Sequence, residues 1–137
     1  MTTCLITGCN RGIGLAMMKD ALARGWRVIG LHRGEMAEAL SGDFVLHQCD
    51  VGDEARLAEI AAGLNEPVDV LINNAGIIGP PLDEQTGLSM NFEAFRQVLD
   101  VNVLTPLMVS QAFLPAIRAS KRGRIMTISS QMSSMAR

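Results

Sequence analysis

The hydrophobic pattern alternates between short apolar runs of strand length and longer stretches of helical period. Strands are predicted at residues 3–7, 27–31, 44–48, 68–72 and 124–128, and helices at 13–23, 54–64, 92–103 and 106–119. Strands that alternate with helices predict an α/β fold, in which helices cover both faces of a parallel sheet. The longest predicted loop is 76–90, because Pro80, Pro81 and Gly87 interrupt regular structure there.

Length and composition narrow the class of protein. A chain of 137 residues without a linker-like stretch predicts a single domain over residues 1–137. The net charge of −2 comes without a basic block, so we expect no nucleic-acid partner. The N-terminus lacks a signal-peptide pattern, and no apolar run approaches the ~18 residues of a membrane span. We therefore expect a cytoplasmic protein with no membrane partner.

The three cysteines, Cys4, Cys9 and Cys49, include no Cys-x-x-Cys pair. An odd number without that spacing predicts neither a disulfide framework nor a zinc site, and we expect no metal. The thiols are expected to be reduced, as in a cytoplasmic protein. Only Cys9 lies in a loop that could expose it.

A glycine-rich loop, Thr7-Gly8-Cys9-Asn10-Arg11-Gly12-Ile13-Gly14, joins the first predicted strand to the first predicted helix. Gly8 permits a tight turn, Gly12 lets the backbone approach a pyrophosphate, and Gly14 lets the helix and strand pack closely. Free amides and the positive dipole end of the helix would hold the phosphates. The loop therefore indicates a nucleotide site, although the pattern alone also fits a tight turn without a ligand.

Further short motifs follow in order along the chain. Asp50-Val51 follows the third strand, Asn73-Asn74-Ala75-Gly76 follows the fourth, Asn102 lies in the 92–103 helix, and Ser129-Ser130 follows the fifth strand. With Thr-Gly-x-x-x-Gly-Ile-Gly at the N-terminus, they resemble the short-chain dehydrogenase/reductase family over all 137 residues. The glycine spacing differs from the Gly-x-Gly-x-x-Gly fingerprint of other dinucleotide-binding proteins.

The resemblance implies a Rossmann-type doubly wound sheet with five strands present and the family's C-terminal strands missing. It implies an oxidoreductase that transfers a hydride between a nicotinamide cofactor and a small carbonyl or alcohol substrate. The cofactor-binding residues that it implies lie in the glycine loop and after the third and fourth strands: Gly8, Asn10, Arg11, Gly12, Ile13, Gly14, Asp50, Val51, Asn74, Ala75 and Gly76.

The end of the second predicted strand bears on the choice between NAD and NADP. An acidic residue there would bind the ribose 2′-hydroxyl and select NAD, but this chain has His32 followed by Arg33. The Arg33 guanidinium suits a 2′-phosphate, with Arg11 as a second cation, so NADP(H) is predicted over NAD(H). Glu35 is a competing acid about 20 residues past the last loop glycine. We discount it because the strand is expected to end before it.

Four residues carry the family's chemistry: an asparagine, a serine, a tyrosine and a lysine. The resemblance assigns Asn102 to the asparagine and Ser130 to the serine. Three other serines stay open for the latter: Ser129, Ser133 and Ser134. The chain contains no tyrosine, and the family's Tyr-x-x-x-Lys would lie beyond Arg137. We therefore expect this chain alone to have little or no activity.

Three interpretations remain open. The chain is the front part of an NADP-dependent oxidoreductase, a catalytically silent nucleotide-binding module, or a truncated fragment without function.

The glycine loop resembles the C-factor-like and sniffer-like carbonyl reductase branch of the family. The resemblance implies a homodimer or homotetramer formed through two helices, of which only the one at 106–119 is present. The last strand would leave an open sheet edge and a partly bare face.

Overall fold

The apolar runs form the strands of one parallel sheet in the computed structural model, which describes residues 1–130. The strands are β1 (Thr3–Thr7), β2 (Arg27–His32), β3 (Phe44–Gln48), β4 (Val70–Asn73) and β5 (Arg124–Thr127), in the order β3-β2-β1-β4-β5. Among these residues the α-helices are α1 (Gly12–Ala23), α2 (Glu54–Gly63), α3 (Phe92–Leu99) and α4 (Thr105–Ala119). The predicted doubly wound α/β fold is confirmed. The domain boundary stays a prediction.

Buried apolar side chains cover both faces of the sheet. Leu5 of β1 belongs to a cluster with Leu57 of α2 and Phe113 of α4. Its neighbour Ile6 belongs to a second cluster with Met18 of α1. Successive strand residues point to opposite faces, so β1 contributes to both layers and is buried throughout.

Charged side chains join the amino ends of the strands. Asp69, directly before β4, accepts hydrogen bonds from the Thr3 amide at 2.9 Å and the Ser120 hydroxyl at 2.6 Å. These bonds lower the pKa of Asp69 below its usual 3.8, with Ser120 as the larger cause. Arg27 at the start of β2 pairs with Glu66 at 2.8 Å and also with Asp43. This end of the sheet is held by ionic contacts.

β4 begins later than predicted. Val68 is apolar and buried, but its amide donates to the Ala116 carbonyl of α4 at 3.0 Å rather than to a neighbouring strand. The ladder therefore starts at Val70 and runs to Asn73. The prediction of a strand from residue 68 was wrong because apolar character does not distinguish a strand residue from one packed under a helix.

The two predicted helices at 92–103 and 106–119 form one continuous helical stretch. A π-helical turn at Asp100–Leu104 joins α3 to α4. Pro106 has no amide hydrogen to continue the regular bonding pattern, and the Thr105 hydroxyl donates to the Asp100 carbonyl at 3.0 Å. Single π turns of this kind are frequent at functional sites.

The segment predicted as an irregular loop contains a short 3₁₀ helix, Leu82–Glu84, directly after Pro81. Asn91 closes the segment, because its amide donates to the Glu84 carbonyl at 2.9 Å and its side chain to the Glu84 carboxylate at 2.8 Å. The prediction that the prolines exclude regular structure was therefore wrong for one turn. Pro is accepted before a helical turn, where its missing amide hydrogen costs nothing.

β5 forms one edge of the sheet, and all four of its residues are exposed.

The helical stretch Phe92–Ala119 has many exposed apolar side chains. By length and composition this stretch could cross a membrane. Of its most apolar 18-residue segment, 17% is buried inside the protein. A single helix of this kind is weak evidence, because core helices pass the same test, and α4 packs Val109, Phe113 and Ile117 into the core. The absence of a membrane partner stays a prediction.

Candidate nucleotide-binding site

All five strands run parallel, so their carboxyl ends lie along one edge of the sheet. Apart from Asn102, every predicted site segment follows one of these ends. The glycine loop follows β1, Arg33 follows β2, Asp50-Val51 follows β3, residues 74–76 follow β4 and Ser130 follows β5. The strand order reverses between β1 and β4. Ligands of doubly wound sheets bind at this reversal, outside the carboxyl ends of the strands.

The three glycines of the loop do not all serve the same purpose. Gly8 and Gly12 have φ values of +66° and +58°, which favour glycine. A Cβ on Gly14 would lie 2.2 Å from the Gly8 carbonyl oxygen and 2.5 Å from the Asn74 side-chain nitrogen. A Cβ on Gly12 would meet no atom of residues 1–130 within 4 Å. Gly14 therefore allows close packing, whereas Gly12 leaves its backbone open to a ligand.

The start of α1 has the electrostatics of an anion site. Arg11 is the N-cap residue and forms no side-chain capping bond, and the first turn contains no acidic side chain. The first amides of a helix have no partner within it, and the dipole places positive potential there. Arg11 and Ile13 are both exposed beside these amides. The open backbone at Gly12 and this positive helix end fit a pyrophosphate group.

Thr7 joins the glycine loop to the segment after β4. Its hydroxyl accepts hydrogen bonds from the Asn74 and Ala75 amides, both at 3.0 Å, and only 2% of the residue is exposed. The Asn74 side chain donates to the carbonyls of Thr7 at 3.1 Å and Gly8 at 3.2 Å. Sequence reasoning missed the role of Thr7, although its place at the end of β1 before Gly8 was a signal.

Asn102 reaches from the π turn to the same segment. Its side chain donates to the Ile77 carbonyl at 2.8 Å and accepts from the Ile77 amide at 2.9 Å. A Cβ on Gly76 would lie 3.3 Å from the Asn102 oxygen. The structure thus places Asn102 beside the backbone that follows β4, although Ile77 precedes Asn102 by 25 residues in the chain. A catalytic role for Asn102 stays a prediction.

Asp50 and Val51 shape the connection between β3 and α2. The Asp50 carboxylate accepts from the Gly52 amide at 2.9 Å, and its carbonyl accepts from the Asp53 amide at 2.9 Å. Val51 packs against the core cluster on the α2 and α4 face. These contacts fix both residues at the carboxyl edge of the sheet. Their contact with the adenine of a cofactor stays a prediction.

The segment after β2 bears on cofactor choice. β2 ends at His32, so Glu35 lies beyond the strand, as the sequence predicted. Arg33 is exposed, and its side chain forms no salt bridge within residues 1–130. An exposed guanidinium without a carboxylate partner is available to a phosphate.

Ser130 follows β5 at the same edge and is exposed. The pairing of β5 with β4 continues past the strand, because the Ile128 amide donates to the Asn73 carbonyl at 3.0 Å. Ser129 and Ser130 therefore follow directly from the ladder. The other two candidate serines, Ser133 and Ser134, lie outside the described residues, and the choice among the four stays open.

Cys9 is buried, so the prediction that its loop could expose it was wrong. Its sulfur packs beside Gly30, where a Cβ would lie 2.7 Å away, and contacts the Leu31 carbonyl at 3.7 Å. Burial raises the pKa of Cys9 to about 11 and that of Cys4 to about 12. Both thiols are protonated at neutral pH. Within residues 1–130 no cluster of three His, Cys, Asp or Glu side chains could hold a metal ion.

Comparisons with known proteins agree with this geometry. The profile of the short chain dehydrogenase family matches residues 2–137. The 3-oxoacyl-acyl-carrier-protein reductase of Escherichia coli is 32% identical over an alignment that covers 96% of this chain and 55% of that protein. The chain spans about half the length of the curated relatives that it matches.

Two solved structures show the same arrangement. A short-chain dehydrogenase/reductase from Burkholderia multivorans with bound NADP has a TM-score of 0.85 and 29% identity, covering 98% of this chain and 61% of that one. A metagenomic short-chain oxidoreductase in complex with NADP has a TM-score of 0.79 and 31% identity, covering 97% and 63%.

Proposed function

Because this chain belongs to the short chain dehydrogenase family, we propose that it forms the cofactor-binding part of an NADP(H)-dependent oxidoreductase acting on a small carbonyl or alcohol. The observation that carries the proposal is the glycine loop at the strand-order reversal, with Gly12 open and α1 directed at the site. Both solved relatives described above contain NADP.

The 2′-phosphate would bind at the end of β2. Arg33 is exposed there, and Arg11 is exposed at the start of α1. A guanidinium binds a phosphate through two parallel hydrogen bonds, which a ribose hydroxyl cannot reproduce. Glu35, the competing acid, lies past the end of β2. These features support NADP(H) over NAD(H).

The nicotinamide, when bound, supplies or accepts the hydride. Asn102 holds the backbone of Ile77 at the edge of the proposed site through both of its side-chain atoms. The hydroxyl of Ser130 is proposed to hold the substrate oxygen. The chain contains no tyrosine, so no phenol of this chain acts as the proton donor.

Calorimetric titration of the 137-residue chain with NADP⁺ and NAD⁺ tests the cofactor. We expect NADP⁺ to bind at least about tenfold more tightly, since a charge-assisted bidentate contact is worth more than 1.4 kcal/mol. Arg33→Met should remove most of this preference and leave NAD⁺ binding nearly unchanged. Tighter binding of NAD⁺ than NADP⁺ by the unsubstituted chain would contradict the proposal.

A second candidate function is nucleotide binding without hydride transfer, which the glycine loop with its open Gly12 supports equally. Both functions require NADP(H) binding, and this chain alone is expected to have little or no activity, so turnover by the chain does not separate them. The nucleotide sequence that follows the codon for Arg137 does: a Tyr-x-x-x-Lys encoded there supports the first function, and a stop codon with abundant soluble 137-residue protein supports the second. Cytoplasmic location stays a prediction, and the oligomeric state stays open.

A further inference from the structure

Three consecutive backbone carbonyls after β2 each accept a hydrogen bond from a side chain. Gln48, at the end of β3, donates to the Arg33 carbonyl at 3.2 Å. His32 contacts the Gly34 carbonyl through Nδ1 at 2.6 Å. Asn10, in the glycine loop, donates to the Glu35 carbonyl at 3.2 Å. Because a carbonyl only accepts, Nδ1 of His32 carries the proton in this contact. We call these three side chains the carbonyl clamp.

The carbonyl clamp connects three separate parts of the carboxyl edge. Asn10 comes from the loop after β1, His32 ends β2 and Gln48 ends β3. Backbone bonds reinforce the connection, since the Ala37 amide donates to the Asn10 carbonyl at 2.9 Å and the Cys49 amide to the His32 carbonyl at 2.8 Å. Gly34 also packs closely, because a Cβ there would lie 3.3 Å from the Asn10 side-chain nitrogen.

The three side-chain hydrogen bonds of the carbonyl clamp are not needed merely to satisfy the carbonyls of a surface loop. Carbonyls of an exposed connection can bond to water at no cost, so side-chain donors are not required to satisfy them. Arg33 lies between two fixed peptide groups, because the His32 carbonyl accepts from the Cys49 amide at 2.8 Å and the Arg33 carbonyl accepts from Gln48 at 3.2 Å. The bonds to the Gly34 and Glu35 carbonyls fix the segment that follows. Together these bonds fix the direction in which the Arg33 side chain leaves the backbone, and that side chain has no salt-bridge partner among residues 1–130.

We propose that Asn10, His32 and Gln48 are positioning residues that hold the Arg33 backbone, and thereby determine the preference for a 2′-phosphorylated nucleotide. The inference rests on the proposed NADP(H) function and deepens it. A guanidinium binds a phosphate through two directed bonds, so its contribution depends on orientation as well as charge. Releasing the backbone would keep the charge and lose the orientation.

Gln48 offers the cleanest variant, because it is exposed at the end of an edge strand and is not itself a proposed cofactor contact. Gln48→Met keeps the length of the side chain and removes the donor. Gln111→Met, at an exposed position on α4, is the matched control. His32→Phe removes the second donor, and His32→Asn restores an amide donor near the position of Nδ1.

The measured quantity is the ratio of the NADP⁺ and NAD⁺ dissociation constants, since partial unfolding would weaken both alike. We expect Gln48→Met and His32→Phe each to weaken NADP⁺ binding about fivefold, the effect of one neutral hydrogen bond. NAD⁺ binding should change less than about twofold, within the range of a surface substitution. His32→Asn and Gln111→Met should keep the original ratio.

A double-mutant cycle shows whether the carbonyl clamp acts through Arg33. In an Arg33→Met background, Gln48→Met should have no further effect on the ratio, because the two changes remove the same contact. An unchanged ratio in the single variants, or an undiminished effect in the Arg33→Met background, would overturn the inference. Preference for NAD⁺ by the unsubstituted chain would instead overturn the proposed function, so the two failures are distinguishable.

Discussion

The two ends of the parallel strands are held together by different kinds of contact. At the amino ends, the carboxylate of Asp69 and the guanidinium of Arg27 join neighbouring strands through ionic and charge-assisted bonds. At the carboxyl ends, neutral side chains such as Thr7, Asn74 and Asn102 bond to backbone groups. The loops that carry Thr7, Asn74 and Asn102 are thus joined by neutral groups. The exposed guanidinium groups of Arg11 and Arg33 at the same edge therefore remain available to a charged ligand.

The contrast also predicts which end is more sensitive to substitution. Glycine packing and buried hydrogen bonds at the carboxyl end tolerate little change, because a lost bond leaves a polar group buried or an atom in collision. The contacts at the amino end are partly exposed, so water replaces them at small cost.

The largest effect is expected for Gly14→Ala. The new Cβ would lie 2.2 Å from the Gly8 carbonyl oxygen, so the loop or the helix must shift. We expect a loss of about 3 kcal/mol in the free energy of unfolding, at the upper end for overpacking. Urea denaturation followed by circular dichroism measures it. Gly63→Ala, at the end of α2, is the control: its Cβ would meet no atom of the described residues within 4 Å, so it should change stability by less than about 1 kcal/mol.

Thr7→Val should follow in size. The substitution keeps the shape of the side chain and removes the hydroxyl that accepts from the Asn74 and Ala75 amides. Two amides would lose their acceptor at a buried position, so we expect a loss of about 2 kcal/mol by the same denaturation measurement. Thr7→Ser keeps the hydroxyl and should recover most of the loss. Destabilisation by serine as large as that by valine would contradict the prediction, because the methyl group that serine lacks would then matter as much as the hydroxyl that valine lacks.

Asp69→Asn tests the amino end and its dependence on pH. The pKa of Asp69 is lowered in the folded protein, so its ionised form stabilises the fold above the usual pKa of 3.8. This contribution is lost as the pH falls through the lower folded pKa. We expect Asp69→Asn to cost about 1 kcal/mol at neutral pH, discounted for partial exposure. The difference from the unsubstituted chain should shrink in acid, and a constant difference would rule out the charge as its cause.

Arg27→Met should have the smallest effect. It removes the ion pairs with Glu66 and Asp43, which are about 30–50% exposed. We expect a loss of about 0.5 kcal/mol, because partly exposed pairs contribute little. The loss should decrease further at high salt, which screens such pairs. A thermal melt at low and high ionic strength measures both. A loss larger than that of Thr7→Val would reverse the proposed order of the two ends.

Much of the fold was predictable because buried parallel strands are continuously apolar. β1 and β3 have the predicted bounds, and the other strands differ from prediction by one or two residues. The errors share one physical cause, which is that tertiary contacts decide local features. Val68 is apolar but bonds to a helix, and Cys9 lies in a loop but is covered where Gly30 leaves room for its sulfur.

The location of the candidate site was predictable from the sequence, but the contacts within it were not. Motifs at strand ends indicated which segments meet, because parallel carboxyl ends share an edge. The bonds between segments were not predictable. Asn102 pairs with Ile77 and Thr7 with Asn74 across 25 and 67 residues, and no local pattern encodes such pairs. Gln48 carried no motif at all, and only the structure shows its contact with Arg33.

The π turn at Asp100–Leu104 constrains the length of the chain as well as its composition. Successive residues of an α-helix are rotated by about 100° around its axis. A π turn contains one residue more than an α turn, so deleting one residue here would let α3 and α4 join as a regular α-helix with little change in their relative rotation. The residues inside the turn would be redistributed around the axis, and Asn102 would lose the direction that brings its side chain to Ile77. Among descendants of this sequence, single-residue insertions and deletions at this turn should therefore be rarer than substitutions.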